Sequence, residues 1–336
     1  MGKRSASAVA LVFAALLTAC GGGGGAAGES SITVYSGRSE DLVGPLIEDF
    51  EDATGIAVAI RYGDTAELAS TILEEGDNTP ADVFFGQDAG ALGFLEQNGS
   101  FTALPASLLE RVPERYRSAG GMWVGTSGRV RVIVYNPDLL SESEVPDSVF
   151  GLTDARWKGR VGWAPTNGSF QIFVTALRAI EGEERARDWL EAMKQNRTQV
   201  YESNTPIVEA VAAGEIPLGL VNHYYAFELR TERPDLRARD RFLAGGDPGG
   251  LVNVAGVGIL EQSDDRSAAE RFVEFLLSDQ AQTFFVERTF EYPLVPDVEP
   301  HAELPPIEEL EPPDIDLSQL ADLEGTLDLL QDVGLL

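Results

Sequence analysis

Residue types that build catalytic and metal centres are scarce in this sequence of 336 residues. It has one cysteine, Cys20, so no internal disulfide can form. Its two histidines, His223 and His301, are far apart in the chain, and no histidine–cysteine cluster indicates a zinc site. There is no Walker loop, no dinucleotide fingerprint and no nucleophile elbow with a histidine to serve it. These absences favour a binding protein over an enzyme.

Positive charge is also scarce. Lysine occurs only three times, and the chain carries 55 acidic against 25 basic side chains, a formal net charge of −30. A surface of this sign repels nucleic acid and anionic membranes, and it attracts cations without selecting among them. We therefore expect no nucleic-acid partner. The length allows two domains.

The amino terminus has the pattern of an export signal. Lys3 and Arg4 precede an apolar run over residues 8–17, which is too short for a permanent membrane span. The run ends in Leu-Thr-Ala-Cys, which resembles a bacterial lipobox ending at Cys20. The sequence thus predicts a lipoprotein signal peptide over residues 1–20 and a flexible tether over 21–30. The alternative is an ordinary signal with a chance cysteine.

Strand and helix patterns alternate along the rest of the chain. Such alternation predicts an α/β protein whose parallel sheets are covered on both faces. Ser39, Asp64 and Ser267 stand where helix caps are expected, and Gly55 where a helix ends. Leucines from Leu317 to Leu330 predict one final acidic amphipathic helix. The predicted strands cover residues 31–36, 56–62, 80–85, 129–135, 217–221 and 251–260.

Two adjacent tyrosines, Tyr224 and Tyr225, stand just after the strand at 217–221. Ligands of open α/β sheets bind outside the carboxyl ends of strands. Paired phenols become anionic oxygen donors only beside a strongly positive ion, and ferric iron is a hard cation of that kind. The alternative is a pair of interfacial aromatics with buried rings and wet hydroxyls.

A second candidate site element is the loop at residues 165–170, which leads into a helix. A loop with glycine and serine at a helix start presents free backbone N–H groups to an anion. The alternative is a simple capped helix.

Several segments in this order resemble the ferric-ion-binding proteins of bacterial ABC importers, which have the type II periplasmic-binding fold. The resemblance covers roughly residues 32–298 and is carried by their order and spacing. The segments are 32–38 (Ile-Thr-Val-Tyr-Ser-Gly-Arg), 79–84, 127–136, 157–159, 164–169, 222–225 (Asn-His-Tyr-Tyr) and 292–293.

The resemblance implies two α/β lobes joined by crossing hinge strands that close over one ferric ion and a synergistic anion. It implies that Tyr224 and Tyr225 are phenolate ligands. The anion would be carbonate or phosphate. Its candidate binding residues are Arg38, Ser39, Arg129, Arg131, Asn167, Gly168, Ser169, Asn204 and Asn222.

Two positions depart from the family pattern. Ser39 stands where the best-known members have a histidine, and Gln87 stands where they have a glutamate. Gln87 and its neighbour Asp88 are therefore candidate additional metal ligands. For Arg129 and Arg131 the alternative is a surface or hinge salt bridge.

We expect lobe one at residues 31–128 and 255–300, and lobe two at 129–254. The acidic tail at 301–336 is expected to return onto lobe two through its helix. The protein would be a monomer, exported and lipid-anchored at the outer face of the cytoplasmic membrane or in the periplasm. It would deliver ferric iron or a ferric chelate to an ABC permease and its ATPase.

Two alternatives remain at this stage. The same fold could bind a small organic or phosphorylated anion without metal. The chain could instead be an enzyme or an adhesion module. The missing catalytic cluster argues against the enzyme, and the strand–helix alternation argues against an all-β adhesin.

Overall fold

The computed structural model describes residues 30–243 and 245–336. The predicted signal peptide, Cys20 and almost all of the predicted tether lie outside these residues. None of the described helices is long and apolar enough to cross a membrane.

Ten strands lie in the described part of the chain. They are β1 (Ser31–Ser36), β2 (Ala57–Tyr62), β3 (Val83–Gly86), β4 (Trp123–Tyr135), β5 (Val161–Trp163), β6 (Gln199–Val200), β7 (Leu218–Asn222), β8 (Arg239–Phe242), β9 (Val252–Ile259) and β10 (Tyr292–Pro293).

Eleven α-helices accompany these strands in the same residues. They are α1 (Glu40–Thr54), α2 (Thr65–Glu75), α3 (Ala89–Gln97), α4 (Ala106–Leu109), α5 (Gly168–Glu181), α6 (Glu183–Gln195), α7 (Asn204–Ala212), α8 (Tyr224–Glu232), α9 (Arg266–Leu276), α10 (Asp279–Thr289) and α11 (Leu323–Asp332).

The strands form one continuous sheet in the order β2-β1-β3-β9-β4-β7-β5-β6, with β8 and β10 also paired to β4. The long strand β4 joins its two halves. Residues 123–130 of β4 pair with β9, which completes the first half, and residues 131–135 pair with β7 in the second half. The crossing strand expected at 129–135 is therefore the end of a longer strand that crosses at Val130 and Arg131.

The pairing is parallel only in part. Strands β2-β1-β3 and β6-β5-β7 are parallel, whereas β9 and β4 run antiparallel to their neighbours. The expectation of parallel sheets holds for these two groups of strands only, because two long strands return antiparallel through the middle of the sheet and carry the chain between its halves. The prediction of an α/β fold is confirmed.

Local signals account for several element boundaries. Helix α1 ends at Gly55, whose φ of 69° is left-handed and suits a residue without a side chain. Asp64 caps α2 by accepting hydrogen bonds from two backbone N–H groups. Ser39 occupies the cap position of α1, but its side chain makes no cap hydrogen bond. Asp265, and not Ser267, caps α9 with its carboxylate.

The second half of the sheet has its own apolar core, rich in aromatic rings. Trp163, Phe170, Phe173 and Trp189 lie with ring centroids 5.5 to 6.5 Å apart, mostly edge to face. Because Phe170 and Phe173 belong to the first turns of α5, this cluster fixes the start of that helix at the cleft.

The tail does not form the single helix expected from its leucines. A 3-10 segment at Leu317–Ala321 comes first, and α11 begins only after Asp322, whose carboxylate caps it at Gly325. Leu317 and Leu320 are buried in the segment's contact with α3. Helix α11 packs on α5, and Thr326 hydrogen-bonds Thr175 at 2.8 Å. The tail therefore contacts both halves of the molecule.

Helix α3 accepts the tail because two of its residues are glycines. A Cβ added at Gly93 would lie 2.8 Å from the carbonyl oxygen of Ser318. We expect Gly93→Ala to lower the free energy of unfolding by roughly 1–3 kcal/mol and to loosen the tail. Urea denaturation and limited proteolysis measure the two effects. Gly168→Ala is the control, since no atom lies within 4 Å of its added Cβ. Equal stability of the two variants would contradict the close contact.

Candidate functional site

A cavity of about 910 Å³ lies between the two halves of the molecule. It is lined by residues from β4, β7, the starts of α2, α3, α5 and α8, and the tail. The structure brings ten of the expected site residues to its wall: Gln87, Asp88, Arg129, Arg131, Asn167, Gly168, Ser169, Asn222, Tyr224 and Tyr225.

Tyr224 and Tyr225 open helix α8 directly after β7 and His223. Their ring centroids are 4.3 Å apart with an interplanar angle of 32°, and both rings line the cavity. Burial and the adjacent Tyr225 hydroxyl raise the pKa of Tyr224 well above its usual value. Without a cation, Tyr224 is therefore a neutral phenol at pH 7. A strongly charged cation would be needed to make it an anionic ligand.

Arg131 is buried at the wall of the cavity that the tyrosine pair also lines. Its Nη1 donates to Ser169 Oγ at 3.1 Å, and its Nη2 donates to the carbonyl of Leu220 at 3.2 Å. The guanidinium stacks over Phe170 and Phe173, each 5.6 Å away. Burial lowers the pKa of Arg131 to about 10, so the group stays charged at neutral pH. Among the described residues, no carboxylate lies within 4 Å of it.

Arg129 is more fully committed to protein partners. Its Nη2 donates to the backbone carbonyl of Gln87, and its Nε lies 3.8 Å from Oε1 of Glu291. The hinge salt bridge considered as the alternative for these arginines is therefore present at Arg129. It is absent at Arg131 within the part of the chain that the structure describes.

The loop before α5 is held by its own side chains. Asn167 Oδ1 accepts from the Ser169 amide at 3.1 Å and from the Ser169 hydroxyl at 2.6 Å. Asn204 donates through Nδ2 to Asn167 Oδ1 and to Ser169 Oγ, both at 3.2 Å. Asn204 is buried behind the loop and does not line the cavity. It orders the loop, and Gly168 and Ser169 present the helix start to the cleft.

Gln87 and Asp88 enter the cavity from the start of α3. Asp88 Oδ1 accepts from the Ala91 amide at 3.0 Å and so caps the helix. Burial raises the pKa of the Asp88 carboxyl, although Arg129 acts in the opposite direction. The amide oxygen of Gln87 is buried and has no hydrogen-bond partner in the described residues. It is free to meet a bound ligand.

Arg38 and Ser39 do not lie at this cavity. Arg38 is buried and donates to both carboxylate oxygens of Glu291, at 3.2 and 2.8 Å. An arginine committed in this way has little capacity left for an exogenous anion, and Ser39 is exposed at the start of α1. The structure therefore does not place Arg38 and Ser39 where the expected anion would bind, at the wall of this cavity.

Glu291 is a buried charged residue near the cleft that sequence reasoning missed. It accepts from Arg38, and from the hydroxyls of Ser127 at 2.8 Å and Thr289 at 3.1 Å. Burial alone would raise its pKa, but the charges of Arg38 and Arg129 lower it below the usual value. The one available signal was an isolated glutamate between Phe290 and the apolar residues that begin at Tyr292.

The tail, α2 and β9 supply further residues of the cavity wall that the sequence did not indicate. Thr65 at the start of α2, Asn253 in β9, and Asp322 and Glu324 in the tail all line the cavity. Asp322 also pairs with Arg178 at 2.9 Å. No three histidine, cysteine, aspartate or glutamate side chains lie together as a metal centre anywhere in the described ranges.

Comparison with known proteins places this architecture in a family. The model for "bacterial extracellular solute-binding protein" matches residues 78–314. The chain belongs to that family of solute-binding proteins. It is thus a binding protein and not an enzyme, as expected, and the resemblance found in the sequence is confirmed.

Two relatives are similar over almost their whole length. The Fe(3+)-binding periplasmic protein of Serratia marcescens is 32% identical over 98% of this chain and 97% of its own. The major ferric iron-binding protein of Neisseria meningitidis serogroup B is 34% identical over 91% and 93%. The similarity to these relatives therefore extends along almost the whole chain and is not confined to one motif.

Solved structures agree with this assignment. Iron-bound HitA from Pseudomonas aeruginosa superposes with a TM-score of 0.84 and 34% identity, over 91% of this chain and 99% of its own. The Trichodesmium protein IdiA, solved with iron and citrate, gives a TM-score of 0.78 and 30% identity over the same shares. The predicted two-lobe periplasmic-binding fold is confirmed.

The contribution of the buried ion pair between Glu291 and Arg38 to stability can be tested by substitution. We expect Glu291→Gln to lower the free energy of unfolding by roughly 3–5 kcal/mol, because it leaves the Arg38 charge buried without a counter-ion. Chemical denaturation measures the loss. The matched control is Glu142→Gln, which removes an exposed pair with Arg241 and should cost at most about 1 kcal/mol. Similar losses in both variants would show that the buried pair is dispensable.

Proposed function

We propose that this protein captures ferric iron in its cleft through Tyr224 and Tyr225, together with a small anion, for delivery to the permease and ATPase of an ABC importer. The observation that carries the proposal is the pair of half-buried phenols, 4.3 Å apart, that face the cavity beside Arg131. The names of the relatives in Serratia and Neisseria support iron as the cargo.

The charges of the site favour an ion of high valence. Two adjacent phenols release their protons to solvent only when their oxygens bind a strong Lewis acid, and hard oxygen donors suit ferric iron. Ferric iron with two phenolates keeps one net positive charge, and Arg131 adds another. A dianion such as carbonate or hydrogen phosphate would balance both, and an Asp88 carboxylate bound in addition would leave the site with one net negative charge.

The anion is assigned to Arg131 and the start of α5. Gly168 presents its backbone N–H group there, whereas the Ser169 amide already donates to Asn167, and the side chain of Asn222 lies 3.4 Å from Arg131 Nη1. Asn167 and Asn204 hold the loop in place. We assign Arg129 a smaller role in anion binding, because it already interacts with Glu291 and with the Gln87 carbonyl.

Gln87 and Asp88 are proposed to complete the coordination from the first half of the molecule. The unpartnered amide oxygen of Gln87 is a neutral donor, and Asp88 contributes a carboxylate. Ligands from both halves would favour the closed form and shift a pre-existing equilibrium towards it. Export and lipid attachment at Cys20 would keep the monomeric protein near its permease.

A second candidate function rests on the size of the cavity. A volume of about 910 Å³ is large for one ion and a small anion, and it falls within the range of organic-ligand sites. The same cleft could take an organic or phosphorylated anion on Arg131 without metal, with the tyrosine rings as a stacking surface.

Visible absorption separates the two functions. Titration of residues 21–336 with ferric citrate, in bicarbonate and then in phosphate, should give a phenolate-to-iron band that saturates near one iron per protein. Tyr224→Phe and Tyr225→Phe should each lose most of this band. Tyr135→Phe is the matched control, since Tyr135 ends the crossing strand β4 and does not line the cavity. No band in either buffer would reject iron and favour the organic anion.

The pH dependence of the complex follows from the raised pKa of Tyr224. Protons compete with iron for both phenolates, so lower pH favours the protonated phenols and iron-free protein. We expect the band to fade as a preformed complex is acidified from pH 7.5 towards pH 4. The fall should be steeper than a one-proton curve. A band of constant intensity over this range would contradict phenolate ligation.

A further inference from the structure

His223 immediately precedes the tyrosine pair and is fully buried. Both of its ring nitrogens have backbone partners. Nδ1 accepts from the amide of Val130 at 3.1 Å, and Nε2 lies 2.7 Å from the carbonyl oxygen of Phe290. An N–H group can only donate and a carbonyl can only accept, so Nδ1 carries no proton and Nε2 carries one. The two contacts specify a neutral ring in a single tautomer.

Val130 lies on the strand that connects the halves of the molecule, and Phe290 lies just before β10, which pairs with that strand. Val130 is the residue at which β4 leaves β9 and goes on to β7, and its carbonyl also accepts from the His223 amide at 2.9 Å. Phe290 ends α10 with a left-handed φ of 54°. It is followed by Glu291, which pairs with Arg38. One imidazole thus ties the start of α8 to both segments.

The ring is also packed against the site. Its centroid is 5.8 Å from that of Tyr224, edge to face, and 5.2 Å from that of Tyr292. His223 does not line the cavity, so it is not placed to bind a ligand directly. An apolar ring could fill the same volume, but it could not satisfy the Val130 amide and the Phe290 carbonyl together.

We propose that His223 is a positioning residue. Its hydrogen bond to Phe290 fixes the position of the tyrosine pair relative to the hinge, where β4 crosses between the halves. The inference rests on the proposed capture of ferric iron by Tyr224 and Tyr225. A phenol pair that is anchored to the hinge moves with it, so opening of the cleft displaces the phenols from groups on the first half, such as Gln87. Loss of the anchor lets the phenols and the hinge move separately.

The two hydrogen bonds can be removed one at a time. Asparagine places its amide near the position of Nδ1, and glutamine places its amide near that of Nε2. His223→Asn therefore keeps an acceptor for Val130 and loses the donor to Phe290, whereas His223→Gln keeps that donor. The control is Asn196→Ala, which removes one buried and one partly buried hydrogen bond, of 3.2 and 3.0 Å, made by a side chain that does not line the cavity.

The experiment measures release of ferric iron from the loaded protein to an excess of chelator, followed by the phenolate band. All three variants should form the band, since the phenols are intact. We expect His223→Asn to release iron about ten-fold faster than wild type, as the loss of one buried hydrogen bond would allow. His223→Gln should stay within about two-fold of wild type, and so should Asn196→Ala, despite its lower stability.

Three results would overturn the inference. One is release from His223→Asn at the wild-type rate. Another is equally fast release from His223→Gln and His223→Asn, which would indicate general disruption of the core. A third is faster release from Asn196→Ala, which would tie release to stability alone. A wild-type protein that forms no band rejects the proposed function itself, and that result is separate from these three.

Discussion

Glu291 places one negative charge inside the hinge, and the arrangement of the surrounding segments depends on it. Its carboxylate is held by Arg38 from the loop after β1 and by Ser127 of β4, with Arg129 of β4 close by. Burying these charges is costly, so each must keep its partners. The network therefore fixes the relative positions of three segments that are remote in sequence but meet beside the cleft.

This network also determines which arginines are already paired with a carboxylate. Arg38 and Arg129 are occupied by Glu291, which leaves Arg131 as the cavity arginine without a carboxylate within 4 Å among the described residues. The two arginines of β4 are only two positions apart and so project on the same face of the strand. Their surroundings differ. Arg129 lies near Glu291, whereas Arg131 stacks on two aromatic rings and donates to Ser169 at the start of α5.

Sequence reasoning succeeded where the cause of a structure is local. The helix end at Gly55, the cap at Asp64 and the placement of Tyr224 at a strand end all depend on a few neighbouring residues. It failed where the partner is distant. Arg38 resembles an anion ligand in sequence, but its partner Glu291 is 253 residues away. The break of the tail helix at Asp322 follows from contacts with α3 and α5, which no leucine pattern contains.

Arg131 carries a charge opposite in sign to the net charge of the chain. A net charge of −30 attracts cations to the surface, yet Arg131 presents at the cavity wall a positive charge with no carboxylate within 4 Å among the described residues. A bare cation therefore gains from the outer field, but Arg131 opposes its approach to the neighbouring phenols. In the proposed function, an anion bound at Arg131 would remove that opposition and leave the phenols as the next groups to meet the ion. Selection would then depend on the anion and the cation together, because neither an anion nor a weakly charged cation alone could both neutralise Arg131 and bring Tyr224 to its anionic form.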